Sequence, residues 1–355
     1  MGCAMAVDEA KLQQLLGKML GEVGAAMGIG LVLLGDKLGL YKALAAAGPL
    51  TSAELASRTG TAARYVREWA AAQAAGGYIN FDPATERFSI SPEQALILAD
   101  ENGPAFFPAM FEIAAAAARD LPKVEAAFRT GGGVGWHQHD PCLFRGTERF
   151  FRASYAMHLV SEWIPALEGV KEKLERGAHV ADVGCGHGAS TILLAKTFPK
   201  SRFSGFDYHE PSLVRARELA REGGVADRIT FQRASAKEFP GTYDLVAFFD
   251  CLHDLGDPVG VAAHVKSTLK SGGTWMIVEP FAGDRMADNL NPIGRIFYSA
   301  STQICVPASL SQEVGLALGA QAGETRLREV ILSGGFSRVR RATATPFNLV
   351  LEARP

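Results

Sequence analysis

The sequence predicts an α/β protein whose main body is a doubly wound sheet of seven strands closed by a C-terminal antiparallel hairpin, with a helical domain ahead of it. Three observations predict it. Residues 180–188 read as an apolar strand that breaks into glycines at 184, 186 and 188, with Asp182 two positions before the first. From about residue 177 onward, strand-like and helix-like segments alternate, which implies a largely parallel sheet with helices on both faces. The last two strand-like segments, 337–345 and 348–352, are too close in sequence to enclose a helix and must pair antiparallel.

At 355 residues the chain is too long for one ordinary core. Hydrophobic residues at 48% and charged residues at 21% describe a soluble globular protein, and the net charge of -2 offers no basic footprint for nucleic acid or an anionic membrane. Five cysteines (3, 142, 185, 251 and 305) without a C-x-x-C pair suggest neither a disulfide framework nor a thiolate zinc site, so no metal and a reducing cytoplasm are expected. The longest apolar run, 23–34, is interrupted by glycine and shorter than the roughly 20 residues of a membrane span, and it lacks the marks of a signal peptide. An Ala/Leu/Met-rich helix over about 11–34 fits better, packed on a second subunit or within the same chain.

The first region, 1–97, holds two short helices joined at Thr59-Gly60, with Thr51 or Ser52 capping the first and Thr61 the second. Segments 78–82 and 87–90, split by Asp82-Pro83, read as a two-stranded wing, and the whole resembles a winged helix-turn-helix. Its second helix carries Arg64 and Arg67 but also Glu68 and a run of alanines, so dimerisation or covering a neighbouring site is expected over DNA contact.

The second region, 98–176, is helical and aromatic, a linker and substrate cover. Its exception is a glycine-rich loop at 130–141, expected to be mobile, whose Trp136, His137 and His139 are candidate substrate contacts. The helix 148–163 presents Tyr155 and His158 one turn apart as another candidate wall.

In the third region, 177–355, the parallel strands are expected at 179–183, 202–206, 229–233, 244–249 and 274–278. A strand that breaks into close glycines and then a helix lets a ligand lie against backbone. Gly184, Gly186 and Ala189 satisfy G-x-G-x-x-G/A, so the turn alone admits NAD. Asp182 inside the first strand, the closing hairpin, and Phe249-Asp250-Cys251-Leu252-His253-Asp254 after the fourth strand separate the alternatives.

With these parts the chain resembles the class I, Rossmann-like S-adenosyl-L-methionine-dependent methyltransferases, and more closely the small-molecule O-methyltransferases with an N-terminal winged-helix domain; its layout and segment 307–323 are similar to an actinobacterial (mycobacterial) group. The resemblance implies that Asp182, Gly184, Cys185, Gly186 and Gly188 cradle the methionine part of the cofactor, Cys185 through backbone alone. It gives Asp207 the ribose hydroxyls, adds Tyr208, Ala234 and Phe249 to the cofactor set, and puts Ser235 where many relatives have an acid near adenine. Asp250 is expected near the cofactor's amino end.

A sulfonium methyl needs an aligned nucleophile and exclusion of water. A phenol with a pKa near ~10 also needs a base. Leu252-His253-Asp254 matches the family tripeptide whose histidine is that base, and Glu279 falls where relatives orient the imidazole. A segment at about 283–312, with Tyr298, is expected to cap the acceptor pocket. The expected activity is methyl transfer to a small molecule, at a hydroxyl oxygen, by a cytoplasmic homodimer. A ligand-sensing transcriptional regulator and an NAD-dependent oxidoreductase remain the alternatives.

Overall fold

The computed structural model describes residues 7–101, 103 and 105–355, and the chain divides into two compact units, up to Ala115 and from Ala116 onward.

In the first unit, helix α1 (Glu9–Lys37) is opened by Asp8, whose side chain accepts from the Lys11 amide. Its 29 residues exceed the apolar run read from sequence, and among the described residues it is the one helix long and apolar enough to cross a membrane. Helix α2 (Leu40–Ala47) follows, then α3 (Ser52–Thr59) and α4 (Ala63–Ala75). Thr51 and Glu54 form a full capping box on α3. Thr61 does not cap α4: Ala62 occupies the N-cap without a side-chain bond, because the Thr61 hydroxyl is held 2.8 Å from that of Thr59. The wing is β1 (Asn80–Asp82) against β2 (Arg87–Ser89), antiparallel, and Arg87 ties it to α3 with a forked pair to Glu54 at 2.8 and 3.0 Å. Gly35 is required by the core, since a Cβ there would stand 2.3 Å from the Tyr41 ring and 2.8 Å from Trp69.

In the second unit, seven strands among the described residues form one sheet: β3 (His179–Val183), β4 (Arg202–Asp207), β5 (Ile229–Arg233), β6 (Tyr243–Phe249), β7 (Leu269–Pro280), β8 (Arg338–Ala344) and β9 (Asn348–Arg354). Their order is β5-β4-β3-β6-β7-β9-β8; β9 runs antiparallel to both β7 and β8, as the short connection requires. β7 starts at Leu269 rather than 274: Leu269 pairs with Tyr243, and a register shift before Leu245 absorbs the glycines at 272 and 273 that read as a strand break.

Side chains alternate between two cores, as strand geometry dictates. Val180, Leu245, Met276 and Val278 face one, with Leu194 and Leu213 from the covering helices; Ala181, Val246, Trp275 and Ile277 face the other, with Val261 and Leu327. β3 has β4 on one side and β6 on the other, so the connections leave it in opposite directions. The crevice at the carboxyl ends of β3 and β6 is therefore the topological switch point, where open α/β sheets take ligands.

Candidate functional site

The glycine turn fills this crevice. Gly184, Gly186 and Gly188 have φ of 75°, 51° and 77°, a region that penalises any Cβ. They differ in what they permit. A Cβ at Gly184 would stand 2.9 Å from the Cys251 sulfur and one at Gly188 2.7 Å from the Phe231 ring, while Gly186 has nothing within 4 Å. Gly184 and Gly188 are thus small for packing as well as for backbone shape, and Gly186 is the open one.

The turn is pinned from β4. The amides of Gly184 and Cys185 both donate to the Phe206 carbonyl, at 2.8 and 3.0 Å, and the Gly186 amide donates to Asp207 Oδ2 at 2.9 Å. Asp207 Oδ1 accepts from the His209 amide at 2.8 Å. Asp182 lies behind the turn, buried, and its Oδ2 accepts from the hydroxyls of Ser190 and Thr191 at 2.6 and 2.5 Å. It fastens strand to helix and stays off the cavity wall. Burial pushes its pKa up to about 6, against the pull of those two hydroxyls.

A cavity of about 370 Å³ opens here, within the roughly 300–1,000 Å³ usual for small-molecule sites. Of the residues expected from sequence, Trp136, His137, Tyr155, Gly184, Cys185, Gly186, Asp207, Tyr208, Ala234, Ser235, Phe249 and Asp250 line it. Asp250 has φ of 50°, uncommon for a non-glycine residue, and its Oδ1 accepts from Asn348 at 3.2 Å. Its Oδ2 is buried with no hydrogen-bond partner among the described residues. Burial, then the nearby Glu279 carboxylate, holds its pKa well above the usual carboxylate range. Burial likewise keeps the Tyr155 phenol protonated well past its usual pKa and pushes that of Tyr208 up to about 12.

The loop expected to be mobile is tied down at three points. The Val134 amide donates to the Pro307 carbonyl at 2.9 Å, Trp136 Nε1 to Asp254 Oδ2 at 2.8 Å, and the His137 amide to the Tyr208 hydroxyl at 3.2 Å. A Cβ on Gly133 would collide with the Ser311 amide at 2.0 Å, so this glycine serves close packing.

Other expected site residues lie off the cavity. His139 is buried against Asp120, Nδ1 to Oδ2 at 2.9 Å, which makes it a brace for the loop. His158 pairs with Glu162 at 3.1 Å and stacks on Trp163. Tyr298, in the helix Pro292–Ala300, is half-buried away from the wall; of the cap segment only Ser311 and Gln312 reach it. His253 and Glu279 are both buried and absent from the wall. His253 Nδ1 is hydrogen-bonded to Glu279 Oε2, and Nε2 stands 3.2 Å from Asp254 Oδ1. Burial depresses the imidazole's pKa, but the Glu279 and Asp254 carboxylates outweigh it and hold the pKa well above the ordinary value.

The wall also contains residues not expected from sequence as contacts: Phe144, Glu148 and Phe151, with His187, His209, Cys251 and Asp254. The signal for the first three is present, since Phe144, Glu148, Phe151 and Tyr155 follow one another at helical spacing. The helix Pro141–Ser154 starts earlier than the expected 148, and that places Phe144 on this face, stacked on His209 at 4.4 Å. Burial, then Arg215 and His209, drive the His187 pKa down to about 4.

Residues 174–314 match the family described as Methyltransferase domain, and residues 25–100 the Rv2258c-like winged HTH domain. Over 100 residues the sequence is 38% identical to a ubiquinone biosynthesis O-methyltransferase of Methylococcus capsulatus, covering 28% of this chain and 41% of that protein. The chain spans less than half the length of the first curated relatives it matches, 23%, 6% and 49%. Among solved structures it is similar to the mitomycin 7-O-methyltransferase MmcR, at 20% identity with a TM-score of 0.71, covering 98% of this chain and 99% of that one. It is equally similar to human N-acetylserotonin methyltransferase in complex with SAM, at 17% identity and a TM-score of 0.71, covering 100% and 99%. At such identities the likeness establishes the fold.

Proposed function

We propose that this chain, a class I S-adenosyl-L-methionine-dependent methyltransferase with an N-terminal winged-helix domain, binds the cofactor in the cavity at the ends of β3 and β6 and methylates an oxygen of a small molecule. The observation that carries this is Asp250 Oδ2, a buried acceptor without a partner among the described residues, on the same wall as the open Gly186 and the Asp207 carboxylate. An ammonium group, a backbone-hugging chain and a ribose diol are what these three would hold. The bound cofactor supplies a methyl on positively charged sulfur, already activated for transfer. The protein then has to position and to exclude water. Phe144, Phe151, Tyr155 and Phe249 give the cavity an apolar flank, and the pinned 131–139 loop closes one side.

His253 is the candidate general base of this transfer, its Nδ1 held by Glu279 and its Nε2 turned toward Asp254 on the cavity wall. The acceptor oxygen is supported by the O-methyltransferases among the similar proteins. The matched methyltransferase domain favours transfer over the NAD-dependent and ligand-sensing alternatives. A cytoplasmic homodimer accompanies the proposal, a second copy covering the apolar residues that α1 leaves exposed.

Calorimetric titration tests it. S-adenosylhomocysteine is expected to saturate one site per chain, NAD to give no heat, and Asp207→Ala to weaken binding at least tenfold by removing a charge-assisted partner and the anchor of the Gly186 amide. Binding of NAD in place of S-adenosylhomocysteine would sink the assignment.

A further inference from the structure

The permanent charges on the cavity wall are of one sign. Glu148, Asp207, Asp250 and Asp254 line it, and among the described residues no lysine or arginine does. Two of these acids already have partners: Glu148 pairs with Arg152 at 3.5 Å, and Asp254 stands against Trp136 and His253. Asp207 accepts from the Gly186 and His209 amides, while Asp250 Oδ2 has no partner among the described residues. The amino-acid end of the cofactor is a zwitterion, so Asp250 can meet its ammonium, but its carboxylate enters a wall without a cation. Resting on the cofactor reading above, we propose that the Tyr155 hydroxyl receives that carboxylate, as the neutral half of a clamp whose other half is Asp250.

Tyr155 is only 7% exposed and lines the cavity, yet its hydroxyl bonds to none of the described residues. A buried donor left unmade costs stability until a ligand completes it. The ring is fixed on three sides. Phe151 stacks on it with centroids 6.0 Å apart and 16° between planes, Phe249 lies 5.2 Å away, and Trp163 meets it edge-on at 6.2 Å. Phe249 precedes Asp250 in the chain, so the ring sits at the same end of the cavity as the unpartnered carboxylate oxygen. Burial, and then the Asp250 carboxylate, keep the phenol protonated, so it stands ready as a donor. Tyr155 also opens the π-helical stretch Tyr155–Trp163, a widening of the helix that is frequent at functional sites.

A neutral donor has a physical advantage here. A guanidinium or ammonium in the place of the hydroxyl would pair with Asp250 and tie up the acid that the ligand's own ammonium needs. The phenol can hold a carboxylate without competing for Asp250. The recognition is therefore uneven: the ligand's ammonium meets a full carboxylate, and its carboxylate meets one hydroxyl.

The experiment titrates the full chain, by calorimetry, with S-adenosylhomocysteine and with its decarboxylated analogue, in which the amino-acid end is reduced to a propylamine. The wild type is expected to bind S-adenosylhomocysteine about tenfold more tightly, the worth of one hydrogen bond to a charged group. Tyr155→Phe keeps the ring and its packing, and it is expected to bind the two ligands within about twofold of each other, because neither then has a donor for the missing bond. General damage to the site would weaken both ligands alike and leave the gap in place. Binding of the decarboxylated analogue by Tyr155→Phe shows that the variant has folded with its cavity intact. A wild type that binds both ligands equally overturns the clamp, as does a tenfold gap that survives in Tyr155→Phe. A wild type that binds neither ligand sinks the cofactor reading itself, which is a different result from either.

Discussion

His187 illustrates how burial of one side chain becomes a pH dependence. Its folded pKa of about 4 lies below the ordinary 6.5, so as pH falls through that window the unfolded chain takes up a proton that the folded chain refuses. The stability this gives at neutral pH is lost between pH 6.5 and 4. Melting temperatures across this window should fall more steeply for the wild type than for His187→Gln, and parallel curves would mean the imidazole protonates freely when folded. Residues of this kind are hard to read from sequence. The glycine turn and Asp207 are legible because their constraint is local: a positive φ and a short spacing. His187 gets its character from burial, then from Arg215 and His209, none of which a spacing rule brings to it. Asp182 is legible as important, but its bonds to Ser190 and Thr191 give it a different task from the one expected.

Among elements, the loop at 130–141 departs most from its sequence reading. Four glycines suggest mobility, yet the loop is fixed by backbone contacts with 307–311 and by the Trp136 bond to Asp254. Trp136→Phe keeps an aromatic ring and removes that bond, which involves a carboxylate and is worth about 1.5–3 kcal/mol. Stopped-flow measurements should show S-adenosylhomocysteine leaving roughly tenfold faster, with the association rate little changed; an unchanged dissociation rate would show that the loop does not hold the ligand in. The strands are nearly all legible, because alternation and turn residues bound them. β7 is the exception in length, since its glycines are absorbed by a register shift rather than ending the strand. The cavity-lining helix Pro141–Ser154 has its stripe in plain view, but its start at Pro141 is hidden beside a glycine-rich stretch.

For the molecule as a whole, the first unit carries an unexplained apolar surface. Leu16, Leu20, Val23 and Met27 are 46–77% exposed and follow one another along a single face of α1. Contiguous apolar faces of this kind mark interaction sites in soluble proteins. Sedimentation velocity is expected to give a dimer for the wild type and a monomer of unchanged helical content for the double variant Leu20→Glu, Met27→Glu; a wild-type monomer would remove the second copy as the cover. The fold class is legible at this scale because the hairpin and the glycine turn constrain topology.

The position of β9 in the sheet also has a consequence in time. β9 lies between β7 and β8 although residues 348–354 follow both in the chain. A nascent chain therefore presents β7, with Trp275, Met276 and Ile277 on its two faces, as an open edge until the last strand has been synthesised. Parallel strands β3 to β6 can assemble behind the ribosome, but the sheet closes only when its latest-made strand slides into an interior slot. This protein's vulnerability to mispairing is thus concentrated in the interval between the synthesis of β7 and that of β9.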